Sequence, residues 1–120
     1  MNTKLTGDTG ETMAYEYLRN KGFEILATNW TFKHKEIDLI AQKNETLHIV
    51  EVKTRSYDSI VRPEDAVTRK KQKYLIQAAN AYLETRNDDP EILFDIITII
   101  INKHSQKIEF IEDAFYPLLR

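Results

Sequence analysis

Residues 36–53, EIDLIAQKNETLHIVEVK, restrict the fold more than any other stretch of the chain, because they read as two alternating strands joined by a polar turn. In the first half Glu36, Asp38 and Ile40 point one way, and Ile37, Leu39 and Ala41 the other. In the second half Leu47, Ile49, Glu51 and Lys53 share a face, with His48, Val50 and Val52 on its reverse. Lys43-Asn44-Glu45-Thr46 is turn-forming, and a loop of two or four residues centred there pairs residue i with residue 89 − i. Asp38 then stands opposite Glu51, and Glu36 opposite Lys53. Opposed side chains in an antiparallel ladder have Cβ atoms about 4.5–5.5 Å apart, where like charges destabilise the sheet. That cost implies something between the carboxylates.

The rest of the chain supplies helices and further strands around this hairpin. Residues 8–21 should form a helix, capped by Asp8 or Thr9, with Met13, Ala14, Tyr17 and Leu18 at helical spacing and Gly22 as its stop. Residues 23–32 are a strand with a bend or bulge at Ala27-Thr28-Asn29, and Trp30 and Phe32 are core candidates. Residues 55–63 lack periodicity and read as a loop, and Pro63 suits the first turn of a second helix running to about Arg86. Its apolar stripe takes in Val67, Tyr74, Leu75, Ala78, Ala81 and Tyr82. Residues 92–101 are apolar at nearly every position, as in a strand buried on both faces, and the preceding helix permits it to lie parallel to the third strand. A last strand spans 107–111, and 113–116 closes with a single helical turn. The expected architecture is one α/β domain with a mixed β-sheet flanked by helices, in the order α-β-β-β-α-β-β.

Composition narrows the function. With no cysteine, zinc-thiolate sites, disulfides and thiol nucleophiles are excluded. The N-terminus lacks the basic-then-apolar order of a secretory signal, and no apolar run reaches membrane-spanning length, so a soluble cytoplasmic protein is expected. The net charge of −2 hides an asymmetry: residues 53–73 hold seven Lys or Arg against three Asp or Glu. Local potential, rather than the total, governs phosphate binding.

Two converging carboxylates with a lysine two residues from one of them suit divalent-metal phosphoryl chemistry. Mg²⁺ or Mn²⁺ takes oxygen ligands, which Asp38 and Glu51 supply. Lys53 would orient the attacking water and offset charge developing on phosphate. Other readings stand beside these. Glu36 suits an ion pair with Lys53 at least as well as a metal role, Glu11 a first-turn acid favoured by the helix dipole, and Arg69, Lys70, Lys71 and Lys73 a solvated helix face as readily as phosphate contact. His34, His48 and His104 show no metal-ligand spacing, and Tyr74 and Tyr82 fall on the packing stripe.

The run Glu36-Ile37-Asp38-Leu39-Ile40 followed by Glu51-Val52-Lys53-Thr54-Arg55 resembles the PD-(D/E)xK nuclease superfamily, and within it the YraN-like family of small bacterial proteins. The resemblance extends through Gly10-Glu11, Ala14, Tyr17-Leu18, Gly22-Phe23, Ile25-Leu26, Pro63, Ala66-Val67 and Phe94-Asp95. It implies a restriction-endonuclease-like core and cleavage of phosphodiester bonds in nucleic acid, DNA ahead of RNA. Asp38, Glu51 and Lys53 would be the catalytic triad, and Glu11 would complete the metal site as in Holliday-junction resolvase-like nucleases. Arg55, Arg62, Arg69, Lys70 and Lys73 would hold phosphates. Enzymes of this superfamily often work as homodimers, although no interface is specified here. The family usually has glycine immediately before the Glu-Ile-Asp segment, and this chain has Lys35. Two rivals to the nuclease reading are a nucleic-acid-binding module without turnover and a protein-interaction domain of a DNA-processing assembly.

Overall fold

The computed structural model describes residues 3–56 and 67–115. The element order is α1 (Thr3–Asn20), β1 (Glu24–Phe32), β2 (Lys35–Lys43), β3 (Thr46–Ser56), α2 (Arg69–Leu83), β4 (Glu91–Ile101) and β5 (Gln106–Ile111). The five strands form one mixed sheet in sequential order, antiparallel throughout except where β3 and β4 run parallel across the α2 crossover. The expected α/β order is therefore observed. No helix among the described residues is long and apolar enough to cross a membrane.

The central hairpin has the register its sequence dictates. Leu39 pairs with Val50, Ile40 with Ile49, Ala41 with His48, Gln42 with Leu47 and Lys43 with Thr46, so every pair sums to 89. Asn44 and Glu45 both have positive φ, 52° and 67°, as a two-residue type I′ turn requires. A second such turn joins β1 to β2 at Lys33 and His34, with φ of 47° and 68°. The left-handed backbone thus falls on those two residues and not on Lys35, which is why lysine is tolerated at that position.

The two helices cover opposite faces of the sheet. Beneath α1 lie Ala14, Leu18, Phe23, Leu39, Ala41, Val50, Ile97 and Ile99. Beneath α2 lie Ile37, Ile40, Leu47, Ile49, Phe94 and Ile96 with Leu75, Ile76, Ala78 and Ala79 of the helix itself. β4 is buried on both faces, as its apolar run requires. Gly22, at φ 92°, stops α1: its N–H donates to the Arg19 carbonyl and that of Phe23 to the Leu18 carbonyl, the paired bonds of a Schellman cap. Gly10 is buried where α1 crosses β3, and a Cβ there would collide with the Thr54 hydroxyl.

Several boundaries differ from expectation. α1 already runs from Thr3, so Asp8 and Thr9 lie inside it rather than capping it. Pro63 and most of the expected 55–63 loop lie outside the described residues, but Arg55 and Ser56 continue β3, paired with Ile100 and Ile101. α2 starts at Arg69, because Thr68 is extended and its hydroxyl caps the Lys71 N–H at 3.2 Å. Tyr74 leaves the packing stripe and is 38% exposed, whereas Ile76 and Ala79 take its place in the core. Tyr82 packs edge-on against Trp30 at 5.4 Å. No helical turn forms across the described residues 113–115: Asp113 is left-handed, and the N–H groups of Asp113 and Ala114 bond back to Asp95 and Phe94 of β4.

Candidate functional site

The acids gather where the β2–β3 ladder ends. Beyond Leu39 and Val50 the two backbones part, and the Asp38 carboxylate accepts the Val52 N–H at 2.7 Å in place of a main-chain carbonyl. On the other side of β2 the ladder with β1 is interrupted too. Thr28 pairs with Leu39 and Trp30 with Ile37, but Asn29 and Asp38 between them do not pair, and Asn29 has φ 49°. A backbone in the left-handed region breaks the extended repeat, and Asn is among the residues that enter it most readily.

The ladder also shifts register between Ile25 and Ala27, and the strict alternation expected of residues 36–41 breaks between Asp38 and Leu39. Ile37 and Ile40 pack together under α2, while Asp38 and Leu39, consecutive residues, both line a cleft under α1. Asp38 and Glu36 are therefore not on the same sheet face as Glu51, although the expected register is kept. Glu51 instead faces α2, where its Oε1 lies 3.4 Å from Lys53 Nζ and 3.6 Å from Lys71 Nζ.

Four elements build the acidic group. Glu11 comes from α1, Glu36 and Asp38 from β2, and one oxygen of each lies within 4.8 Å of the others. Asn29 of β1 bridges two of them, its Nδ2 donating to Glu36 Oε1 at 2.7 Å and to Glu11 Oε2 at 3.3 Å. The neighbouring cleft, about 390 Å³, is lined by Glu11, Thr12, Tyr15, Thr28, Asn29, Asp38 and Leu39. From the far side of the fork β3 contributes Glu51, buried, with Oε2 left without a hydrogen-bond partner among the described residues.

The electrostatics follow from this crowding. Burial pushes the Asp38 carboxyl up to about 7, and the charges of Glu51, Glu11 and Glu36 add to the rise against the opposing Val52 N–H bond. An acid so placed is only partly ionised near neutral pH, and a cation brought to it favours the charged form. The donor set is entirely carboxylate oxygen, which suits Mg²⁺ or Mn²⁺. Glu11, Glu36 and Asp38, each with an oxygen within 4.8 Å of the others, therefore fit such an ion, and the unpartnered Glu51 Oε2 lies across the fork.

Of the residues singled out in the sequence, Glu11 and Asp38 are thus brought together, and Glu51 and Lys53 adjoin them through the fork. Glu36, weighed as an ion-pair partner of Lys53, sits instead with Glu11 and Asp38, and Lys53 pairs with Glu51. Arg69, Lys70 and Lys73 are exposed on α2, Arg55 is half-buried in β3, and Arg62 lies outside the described residues. Two contributors escaped sequence reasoning. Asn29 had a signal, being the turn-prone residue of the suspected bend, but its bridge to two acids needed tertiary structure. Lys71 had none, since its approach to Glu51 depends on how α2 docks.

His48 lies outside the acidic group and is buried, with Nδ1 2.6 Å from Asp95 Oδ2 and its ring edge-on to Phe23 at 4.9 Å. Asp95 Oδ1 accepts the Asp113 N–H at 2.9 Å, so this pair ties β3 and β4 to the chain following β5.

Comparison with known proteins adds lineage to this geometry. Residues 10–99 match the family described as "Uncharacterised protein family UPF0102". A UPF0102 protein of Flavobacterium psychrophilum is 48% identical over 110 residues, covering 92% of each chain. One of Parabacteroides distasonis is 46% identical over 114 residues, covering 95% of this chain and 94% of its own. The matched span runs from Gly10 at the α1–β3 crossing to Ile99 of β4 and so contains every acid of the fork: the chain belongs to the UPF0102 family, the YraN-like proteins.

Proposed function

We propose that this protein is a metal-dependent nuclease that hydrolyses phosphodiester bonds in nucleic acid. The observation that carries the reading is the grouping of Glu11, Glu36 and Asp38 within 4.8 Å, at a point where burial and neighbouring acids raise the Asp38 carboxyl. Such a cluster is costly to the fold, and clefts holding strongly perturbed acids are where function concentrates. The resemblance to PD-(D/E)xK nucleases points the same way.

Glu11, Glu36 and Asp38 would hold Mg²⁺ or Mn²⁺, with Glu51 across the fork from Asp38. The ion, when bound, supplies a Lewis acid for a phosphate oxygen and lowers the cost of ionising water. Asn29 fixes the rotamers of Glu11 and Glu36, and the Val52 N–H fixes Asp38. Lys53, 28% exposed at the fork, is placed to offset negative charge that builds on the phosphate as water adds to phosphorus, giving up a proton to solvent, and the ester P–O bond breaks, the departing oxygen taking a proton from solvent.

The test is cleavage of branched, single-stranded and duplex DNA in Mg²⁺ or Mn²⁺, with Asp38→Asn and Lys53→Ala as controls. Product that depends on metal and on both residues is expected. Absence of product on all substrates, or activity that survives both changes, rejects the nuclease reading. One observation favours a second reading, a nucleic-acid-binding module without turnover: Glu51 Oε1 is already engaged by both Lys53 and Lys71. Salt-dependent binding without product, unaltered by Lys53→Ala, would favour that alternative.

A further inference from the structure

Tyr74 is the one large hydrophobic side chain exposed among the described residues, and it stands between two lysines. Lys35 Nζ, at the start of β2, is 5.4 Å from its ring centroid, and Lys70 Nζ, one helical turn back on α2, is 5.8 Å away. The core contacts of α2 are made by Leu75, Ile76, Ala78 and Ala79, so packing does not require a ring at position 74. The patch also joins the acidic fork through the chain itself. Lys35 directly precedes Glu36, and Lys71, next to Lys70, reaches Glu51.

We propose that Tyr74, with Lys35 and Lys70, is a stacking platform for an unpaired base, which makes nucleic acid with single-stranded character the substrate class of this protein. This rests on the nuclease reading for the strand's destination but not for its binding. An aromatic face takes up any base that is not already stacked, and lysines beside it meet the adjoining phosphates. A duplex keeps its base faces inside the helix, so it would meet only the lysines. The lysines do not bar the ring. An exposed lysine–aromatic contact changes an equilibrium by a factor of about two to five, whereas truncating an aromatic under a stacked base costs roughly five- to 150-fold in affinity. A base can therefore displace an ammonium, which moves to phosphate. Lys35 thereby acquires a role in strand binding.

The experiment is fluorescence anisotropy with a short labelled single-stranded oligonucleotide and a blunt duplex of the same sequence, in Ca²⁺, with each probe checked for intactness. Tyr74→Ala should weaken single-strand binding roughly five- to 150-fold and leave duplex binding within about twofold, while Tyr74→Phe keeps the wild-type affinity. Lys35→Ala should flatten the log–log salt dependence of single-strand binding by about 0.7. Unchanged single-strand affinity in Tyr74→Ala, equal losses for both probes, or a wild-type protein that binds neither probe overturns the platform. Cleavage in Mn²⁺ is scored separately with Asp38→Asn: a Tyr74-dependent binder that never cleaves keeps the platform and rejects the nuclease, and an Asp38-dependent nuclease indifferent to Tyr74 does the reverse.

Discussion

At the scale of a residue, Asp38 determines most of the behaviour of the site. Its carboxyl is raised from 3.8 to about 7 in the fold, first by burial and then by the surrounding acids. Between those two values the folded protein keeps a proton that the unfolded chain has released, so stability falls as pH rises through this window and levels off above it. Urea midpoints followed from pH 4 to 8 in EDTA should show that decline. Asp38→Asn, which keeps an oxygen for the Val52 N–H but carries no charge, should remove Asp38's contribution to it and stabilise the metal-free protein at pH 8 by on the order of 2 kcal/mol. Wild-type protein should regain stability in Mn²⁺, by about 2.7 kcal/mol at a hundredfold excess over the dissociation constant, and Asp38→Asn should not. A wild-type protein indifferent to Mn²⁺ would argue against a metal at the fork. That Asp38 and Glu51 stand near each other at one end of the hairpin was legible from the 89 − i register, although the common face that strict alternation gave them was not kept. That Glu36 would sit with Glu11 and Asp38 was not legible, because it depends on how α1 docks and on the Asn29 side chain that bridges Glu36 to Glu11.

At the scale of elements, α1 delivers Glu11 and is held close by Gly10. A methyl group at position 10 meets the Thr54 hydroxyl of β3, so Gly10→Ala must push the helix outward or displace that side chain. Overpacking of this kind costs about 1–3 kcal/mol, and the shift carries Glu11 away from Asp38. Gly10→Ala should therefore lower the urea midpoint and weaken the Mn²⁺ response together. Thr54→Ala in the same chain should restore part of both, a coupling that a double-mutant cycle measures. Strictly additive effects would show that the helix and strand do not meet there as described. Elements themselves were readable in the sequence wherever a pattern was long, as in the 89 − i register and in Gly22 ending α1. Their boundaries were less so. Thr68 caps α2 because its neighbours let it, and nothing in the sequence ranks it above Pro63.

At the scale of the whole molecule, one sheet carries the acids to its fork and a buried polar pair fastens its far side. Asp95 is fully buried and serves both His48 and the Asp113 N–H. Asp95→Ala would leave both groups without their acceptor and should cost about 3 kcal/mol, read as a lower urea midpoint. Because His48 and Asp95 lie outside the acidic group, the increment of stability gained from Mn²⁺ should be unchanged. Loss of that increment would mean that the two regions are coupled through β3.

The sequence by itself determined the strands, their register and the residue types at the fork, because a period of two and a turn of two residues leave little freedom in a hairpin whose faces are buried. Tertiary structure decided which carboxylates meet. Glu36 and Asp38 gather with Glu11 of α1 while Glu51 stays towards α2, and the docking of α2 brings Lys71 to Glu51 and leaves Tyr74 in solvent. Those outcomes depend on backbone angles and on packing between elements distant in the chain, to which a local pattern is blind.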